Sequence, residues 1–158
     1  MKISNALKLI IAVVVCELAG IVGAVFTAPA IQSGWYASLA KPALNPPSWL
    51  FGPVWTTLYA LMGVAAWFVW RKNDRETKNA LGIFVAQLFL NAIWSPIFFG
   101  ARSLSVAFAV IVLLWTTIVA TIIMFSKVSK IGAWLLVPYI IWVSVASYLN
   151  YAIWTLNR

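Results

Sequence analysis

Hydrogen-bonding side chains recur at intervals of four residues within stretches of the sequence that are otherwise apolar. In one stretch the series is Gln87, Asn91 and Ser95, which places two amides and a hydroxyl on one face of a helix. Trp94 and Phe98 flank that face. Groups of these types can hydrogen-bond a ligand, but they can equally join neighbouring membrane helices, at about 1 kcal/mol for each bond.

Two further stretches repeat this spacing. The residues concerned are Pro138, Trp142, Ala146 and Asn150 in one stretch, and Trp55, Tyr59 and Gly63 in the other. Aromatic walls with a few amides and hydroxyls are the usual composition of a small-molecule site. Aromatic rings also favour a flat, largely apolar ligand by stacking. We therefore expect the three faces to enclose a ligand-binding cavity, with interhelical hydrogen bonding as the alternative.

Several kinds of catalytic site are excluded by residue counts. The chain has no histidine and a single cysteine, Cys16. A histidine-ligated haem, a histidine-based zinc site and a Ser-His-Asp triad therefore cannot form, and neither can an intrachain disulfide. We expect no metal site and no required cofactor, and enzymatic activity is not the function that we favour first for this protein.

Glu17 is an acidic residue within an apolar run. A carboxyl group inside a membrane span is by default a functional-site hypothesis, because lipid cannot satisfy it. The alternative is a protonated or hydrogen-bonded structural group that faces Gln87 or Asn150. A proton pump would need more than one such group, so pumping is not favoured.

The composition indicates that lipid surrounds most of the chain. Of its 158 residues, 64% are hydrophobic and 9% are charged, whereas a soluble domain carries about 25% charged residues. Five apolar runs have the length of a membrane helix, about 20 residues, and they cover about 5–26, 53–70, 80–99, 104–125 and 132–155. These runs do not alternate as barrel strands do. We predict an all-α integral membrane protein, a single domain over 1–158 that forms a five-transmembrane-helix bundle.

The basic residues predict the orientation of the bundle. The formal net charge is +8, but the basic residues lie in short connections, which is typical of a topology signal rather than of a nucleic-acid site. One side carries Lys2, Lys8, Arg71, Lys72, Arg75, Lys78, Lys127 and Lys130, and the other carries Lys41, Arg102 and Arg158. We expect a multi-pass protein of the cell (cytoplasmic) membrane, with the N-terminus in the cytoplasm and the C-terminus outside. A cleavable signal peptide is the alternative for the first run, which exceeds the usual h-region of about 7–15 residues.

The connection between the first two spans, residues 27–52, is far longer than the roughly 2–8 residues usual between bundle helices. The stretch "KPALNPPSWLFGPVWTTLY" covers the second half of this connection and the start of the next span. It contains four prolines and several large aromatic residues. Disordered segments are polar and highly charged instead, and prolines reduce the entropy lost on ordering. We interpret this Pro/aromatic segment as a stiff lid over the outer mouth of the bundle, with Pro53 in the first turn of the second span.

Three long motifs resemble a known family. "WYASLAKPALNPPSWLFGPVWTTLYALMGVAAWFVW" is similar to the first loop and second helix of the TspO/MBR family, which contains tryptophan-rich sensory proteins and mitochondrial translocator proteins, once called peripheral-type benzodiazepine receptors. "AQLFLNAIWSPIFFGAR" resembles the third helix of that family, and "VPYIIWVSVASYLNYAIWTLN" resembles the fifth. The likeness covers nearly the whole chain.

The resemblance implies a bundle, often a homodimer, that binds porphyrins and other aromatic small molecules in a pocket closed by the first loop. Carried over by matching motif, the pocket residues are Tyr36, Trp55, Asn91, Trp142 and Ala146. In some bacterial members, light- and oxygen-dependent breakdown of protoporphyrin has been attributed to the two tryptophans that match Trp55 and Trp142. The spacing series add Tyr59, Trp94 and Asn150 to these candidates.

These observations rank the candidate functions. First is a membrane receptor or sensor that binds protoporphyrin IX and similar flat ligands and modulates tetrapyrrole metabolism or a stress response. A transporter of such molecules is second, although no charged relay pair or inverted repeat is visible. Light-dependent porphyrin breakdown is third, and a lipid-embedded assembly factor is a further alternative. The cholesterol motif of animal members fails here, because six residues separate Tyr151 from Arg158 and the pattern allows about five at most.

Overall fold

The computed structural model describes residues 3–72 and 75–158, and every regular element within those ranges is helical. Five helical segments are long and apolar enough to cross a membrane, which confirms the predicted five-helix bundle. The helices are α1 (Asn5–Gln32), α2 (Trp35–Ser38), α3 (Phe51–Trp70), α4 (Arg75–Ser95), α5 (Leu104–Val128), α6 (Lys130–Trp134) and α7 (Val137–Leu156).

The long helices pack around a common interior. α1 packs against α3 and α4, α4 packs against α5, and α5 packs against α7, while α3 and α7 meet along a short stretch. The approach of α1 to α3 depends on Gly63, where an added Cβ would lie 2.5 Å from the Cα of Val13. Gly63, the last member of one spacing series, therefore faces α1 and allows close backbone contact.

The first span is longer than the sequence predicted, and the lid is correspondingly shorter. α1 continues to Gln32 with Pro29 inside it, so residues 27–32 are helical rather than part of a 27–52 loop. The helix ends where Gly34 adopts a left-handed conformation with φ 75° and its N–H donates to the Ile31 carbonyl at 3.1 Å. Glycine in this position is a common helix stop, whereas Pro29 removes only one backbone donor.

The fifth span is divided. The sequence predicted one run over 132–155, but α6 ends at Trp134 and α7 begins at Val137. Pro138 lies in the first turn of α7, where its missing N–H is not needed, so it begins that helix and does not bend it. At the end of α4, Pro96 starts a wide turn, Pro96–Gly100, in which the Ala101 N–H donates to the Pro96 carbonyl at 2.8 Å.

The two ends of the bundle carry different groups of basic residues. At one end Lys8 of α1 donates to the Trp70 carbonyl of α3 at 3.3 Å, beside Arg71. Lys41 and Arg102 lie at the opposite end, in the lid and in the turn that precedes α5. Lys2, which the sequence places with the first group, lies outside the described residues.

Candidate ligand-binding site

A cavity of about 270 Å³ lies between the long helices and beneath the lid. α1, α3, α4, α5 and α7 contribute its walls, and α2 contributes to its roof. All eight residues that the sequence nominated for ligand binding line it: Tyr36, Trp55, Tyr59, Asn91, Trp94, Trp142, Ala146 and Asn150. The helical spacing therefore brings residues from three spans and the lid to one place.

One wall ends in a hydrogen-bonded chain that connects three helices. The Tyr59 hydroxyl donates to the Asn91 side-chain oxygen. The Asn91 amide nitrogen donates to the Tyr139 hydroxyl at 2.9 Å, and that hydroxyl donates to Gln87 Oε1 at 2.8 Å. Tyr139 and Gln87 are almost fully buried. Gln87 therefore forms an interhelical hydrogen bond, which was the alternative to ligand binding. Asn91 both joins helices and faces the cavity.

Aromatic rings form most of the remaining wall. Trp55 stacks on Tyr59 with ring centroids 5.4 Å apart, and Trp94 stacks on Phe98 at 5.0 Å. The Trp94 indole N–H donates to Asn150 Oδ1 at 3.1 Å, so these two candidates fix each other across α4 and α7. Such rigid, offset rings present flat faces to a ligand.

Trp142 differs from the other indoles of the cavity. Its ring meets the edge of Phe51 at 5.8 Å, and its Nε1 atom is buried without a hydrogen-bond partner among the described residues. A buried donor without a partner carries an energetic penalty, which a ligand acceptor can remove.

Gly20 has a role that the sequence did not assign. A Cβ added at this position would lie 2.5 Å from Cε2 of Tyr59, so the absence of a side chain lets the tyrosine ring rest on α1. The sequence showed small residues in the first span, but it did not show which aromatic ring they accommodate.

The lid closes over the cavity through Tyr36. This side chain is buried, its hydroxyl donates to Asn45 Oδ1 at 3.1 Å, and its ring lies 5.7 Å from that of Phe99. Burial raises the pKa of Tyr36, and the hydrogen bond with Asn45 lowers it by less. Leu44 and Trp49 of the lid, by contrast, are exposed.

A second attachment of the lid was not foreseen from the sequence. Asn157 accepts a hydrogen bond from the Ala40 N–H at 3.0 Å and donates to the Ala40 carbonyl at 2.9 Å. Within the lid itself, Lys41 makes a cation–π contact, with its Nζ 4.8 Å from the centroid of Tyr36. The lid is therefore held to the end of α7.

Glu17 lines the same cavity from α1 and is half-buried. Of the two structural partners considered for it, Asn150 is engaged with Trp94 and the Leu104 carbonyl. Gln87 Oε1 accepts from Tyr139, whereas Gln87 Nε2 is buried without a hydrogen-bond partner among the described residues. Within 3–72 and 75–158, Glu17 makes no hydrogen bond or ion pair.

Comparison with known proteins gives a consistent result over nearly the whole chain. The model of the TspO/MBR family matches residues 12–155. The tryptophan-rich protein TspO of Chlorobaculum tepidum is 46% identical over 155 residues, 96% of each chain. Protein CrtK of Rhodobacter capsulatus is 41% identical, over 91% of this chain and 89% of its own. The human translocator protein is 42% identical, over 78% of this chain and 75% of its own. The chain is therefore a multi-pass membrane protein that belongs to the TspO/MBR family.

Proposed function

We propose that the protein is a membrane receptor of the sensor type that binds protoporphyrin IX and similar flat aromatic ligands. The observation that carries this proposal is the cavity beneath the lid, whose walls are largely aromatic and whose amides are held in place by other side chains. Rigid aromatic walls favour a planar ligand. Binding would alter the lid, and through the lid it would modulate tetrapyrrole metabolism or a stress response.

The size of the cavity indicates that the lid takes part in binding. Its volume of about 270 Å³ lies at the lower end of the range for small-molecule sites, about 300–1,000 Å³. We propose that the lid moves outward to admit a ligand as wide as a tetrapyrrole. A moving lid would also give a sensor two distinguishable states.

The proposal is tested by titrating the purified protein with protoporphyrin IX in the dark while following tryptophan fluorescence. We expect saturable quenching that weakens in Trp142→Phe and Trp55→Phe, because both rings line the cavity. Trp134→Phe is the matched control, since that indole is 72% exposed outside the cavity. Linear quenching that is the same in all four proteins would mean that the pigment only partitions into detergent, and it would contradict the proposal.

Light- and oxygen-dependent breakdown of bound porphyrin is the second candidate function. The observation in its favour is that the two tryptophans associated with this activity, Trp55 and Trp142, line one cavity. Illumination of the saturated protein in air should then bleach the porphyrin absorbance more slowly in either phenylalanine variant than in the parent protein. Equal bleaching rates would indicate ordinary photodamage.

We also propose that the protein lies in the cell membrane as a homodimer, with its N-terminus in the cytoplasm and its C-terminus outside. The orientation rests on the excess of basic residues at the end of the bundle that contains Lys8 and Arg71.

A further inference from the structure

Most polar groups that line the cavity are already engaged within the protein. The Thr27 hydroxyl donates to the Gly23 carbonyl at 2.9 Å, and the Thr56 hydroxyl donates to the Gly52 carbonyl at 3.1 Å. The side chains of Asn91 and Asn150 each make two hydrogen bonds to protein groups. These groups shape the cavity, and they have little capacity left for selecting a ligand.

Glu17 is different from these groups because its carboxyl oxygens have no hydrogen-bonding or ion-pairing partner in the described part of the chain. The face of α1 that lines the cavity has helical spacing and consists of Glu17, Gly20, Ile21, Gly23, Ala24, Thr27 and Ile31. From Glu17 to Ile31 this face is roughly 21 Å long, at about 1.5 Å of rise per residue. Glu17 therefore lies at the end of the cavity that is farthest from the lid.

The charge environment of Glu17 is unusual for a carboxyl group. No lysine or arginine is among the residues that line the cavity within 3–72 and 75–158. A carboxylate away from bulk water is strongly disfavoured unless a cation or several donors accompany it. The cavity thus presents a carboxyl acceptor that makes no hydrogen bond or ion pair in the described part of the chain.

Aromatic rings elsewhere in the cavity wall also suit a cation. Trp55 and Tyr59 form a stacked pair, and the faces of such rings attract positively charged nitrogen. The whole protein, by contrast, carries a formal net charge of +8, which repels cations at long range. A preference for a cationic ligand can therefore arise only from local contacts such as Glu17.

We propose that Glu17 is a specificity-determining residue, which pairs with a positively charged nitrogen, a protonated amine or amidine, on a flat aromatic ligand. This inference rests on the proposed ligand-binding function of the same cavity. Acidic groups of a ligand would be excluded from the Glu17 end and would lie towards the lid, near Lys41 and Arg102.

The test compares two ligands of similar shape. One is 9-aminoacridine, which is a cation at neutral pH, and the other is 9-methylanthracene, which has no charge. Binding is measured by ligand fluorescence with the protein in nanodiscs of zwitterionic phosphatidylcholine, so that the lipid itself attracts neither ligand by charge. We expect the parent protein to prefer 9-aminoacridine, and we expect Glu17→Gln to weaken binding of 9-aminoacridine by about tenfold or more, the usual effect of losing a charged hydrogen bond. The affinity for 9-methylanthracene should stay the same.

Glu76→Gln is the matched control, because it removes the same charge from an exposed position in the first turn of α4. It should leave both affinities unchanged. If Glu17→Gln lowers stability, Glu17→Asp provides the second variant, since it keeps the charge and should keep the preference for the cation. The role of Glu17 would be overturned if the preference for 9-aminoacridine survived in Glu17→Gln, or if it were lost equally in Glu76→Gln. In either case, saturable binding of both ligands would still support the cavity as a ligand-binding site. Failure of both ligands to saturate the parent protein would overturn the proposed function and this inference together.

Discussion

The side chain of Asn157 hydrogen-bonds both backbone groups of Ala40, at 3.0 Å to its N–H and 2.9 Å to its carbonyl oxygen. These two residues are 117 positions apart in the chain. Their contact joins the lid to the residue that follows α7, so the position of the lid depends on the end of the bundle. An asparagine is well suited to this contact, because one amide group supplies both a donor and an acceptor.

Asn157→Ala should loosen the lid with little effect on the stability of the bundle. The substitution removes the two exposed hydrogen bonds with Ala40, each worth about 0.5–1.5 kcal/mol, and a third from the Asn157 amide nitrogen to the Ile153 carbonyl. We expect faster hydrogen exchange of the lid amides around Ala40 and a ligand dissociation rate that rises by about tenfold, since about 1.4 kcal/mol corresponds to that factor. Asn5→Ala is the control at the opposite end of the bundle. Unchanged exchange in Asn157→Ala would show that the contact with Ala40 does not hold the lid.

Gly20→Ala should displace the Tyr59 ring. The new Cβ would lie 2.5 Å from Cε2 of Tyr59, so the ring must move away from α1 and the hydrogen bond from Tyr59 to Asn91 should weaken. Overpacking of this kind costs about 1–3 kcal/mol, and we expect a lower thermal unfolding temperature together with weaker ligand binding. Gly82→Ala is the control, because nothing lies within 4 Å of its added Cβ. A helical alanine there should stabilise the protein by about 0.5–1 kcal/mol. Similar unfolding temperatures for the two variants would argue against a fixed Tyr59 ring.

Asn91→Leu should affect the stability of the protein more than its ligand affinity. Asn91 is 5% exposed, and both ends of its amide are engaged, with the Tyr59 and Tyr139 hydroxyls. Removal leaves these buried hydroxyls with fewer partners, at about 1–3 kcal/mol for each unsatisfied group. Thermal unfolding and a ligand titration of the same sample separate the two effects. The exposed Asn79→Leu is the control, and a large loss of affinity without a change in unfolding temperature would mean that Asn91 bonds ligand directly.

The bundle and the inward positions of several residues could be predicted because both depend on local periodicity. Residues four apart lie on one face of a helix. The three series, which contain Trp55, Asn91 and Asn150 respectively, therefore indicated which face of each helix turns away from lipid. The apolar runs likewise predicted five spanning helices, which the structure confirms.

Other features could not be predicted because they depend on contacts between distant parts of the chain. The sequence offers no local signal for the pairing of Ala40 with Asn157. Whether Asn91 bonds a ligand or a neighbouring helix depends on where Tyr59 and Tyr139 lie, which the spacing does not give. The end of α1 is a different case, since Gly34 was a readable stop signal, although the first span was predicted to end near residue 26.

The orientation in the membrane can be tested with reporters fused to the C-terminus. Basic residues are more numerous at the end of the bundle where Lys8 contacts Trp70, and such residues remain on the cytoplasmic side. We expect activity from a reporter that works only outside the cytoplasm and no activity from one that works only inside. The same two reporters at the N-terminus serve as controls and should give the reverse. The opposite pattern would mean that the lid faces the cytoplasm.

The attachment of the lid should weaken at high pH through Tyr36. Burial raises the pKa of this hydroxyl above its ordinary value of 10, because the charged form is poorly solvated under the lid. A raised folded-state pKa contributes stability that is fully present below pH 10 and is lost as the pH rises through the folded value. Proteolysis of the lid should therefore accelerate above pH 10 in the parent protein and much less in Tyr36→Phe, which cannot ionise. Tyr148→Phe, at an exposed ring outside the cavity, controls for general alkaline effects and should behave as the parent does. Equal acceleration in Tyr36→Phe would show that another group releases the lid.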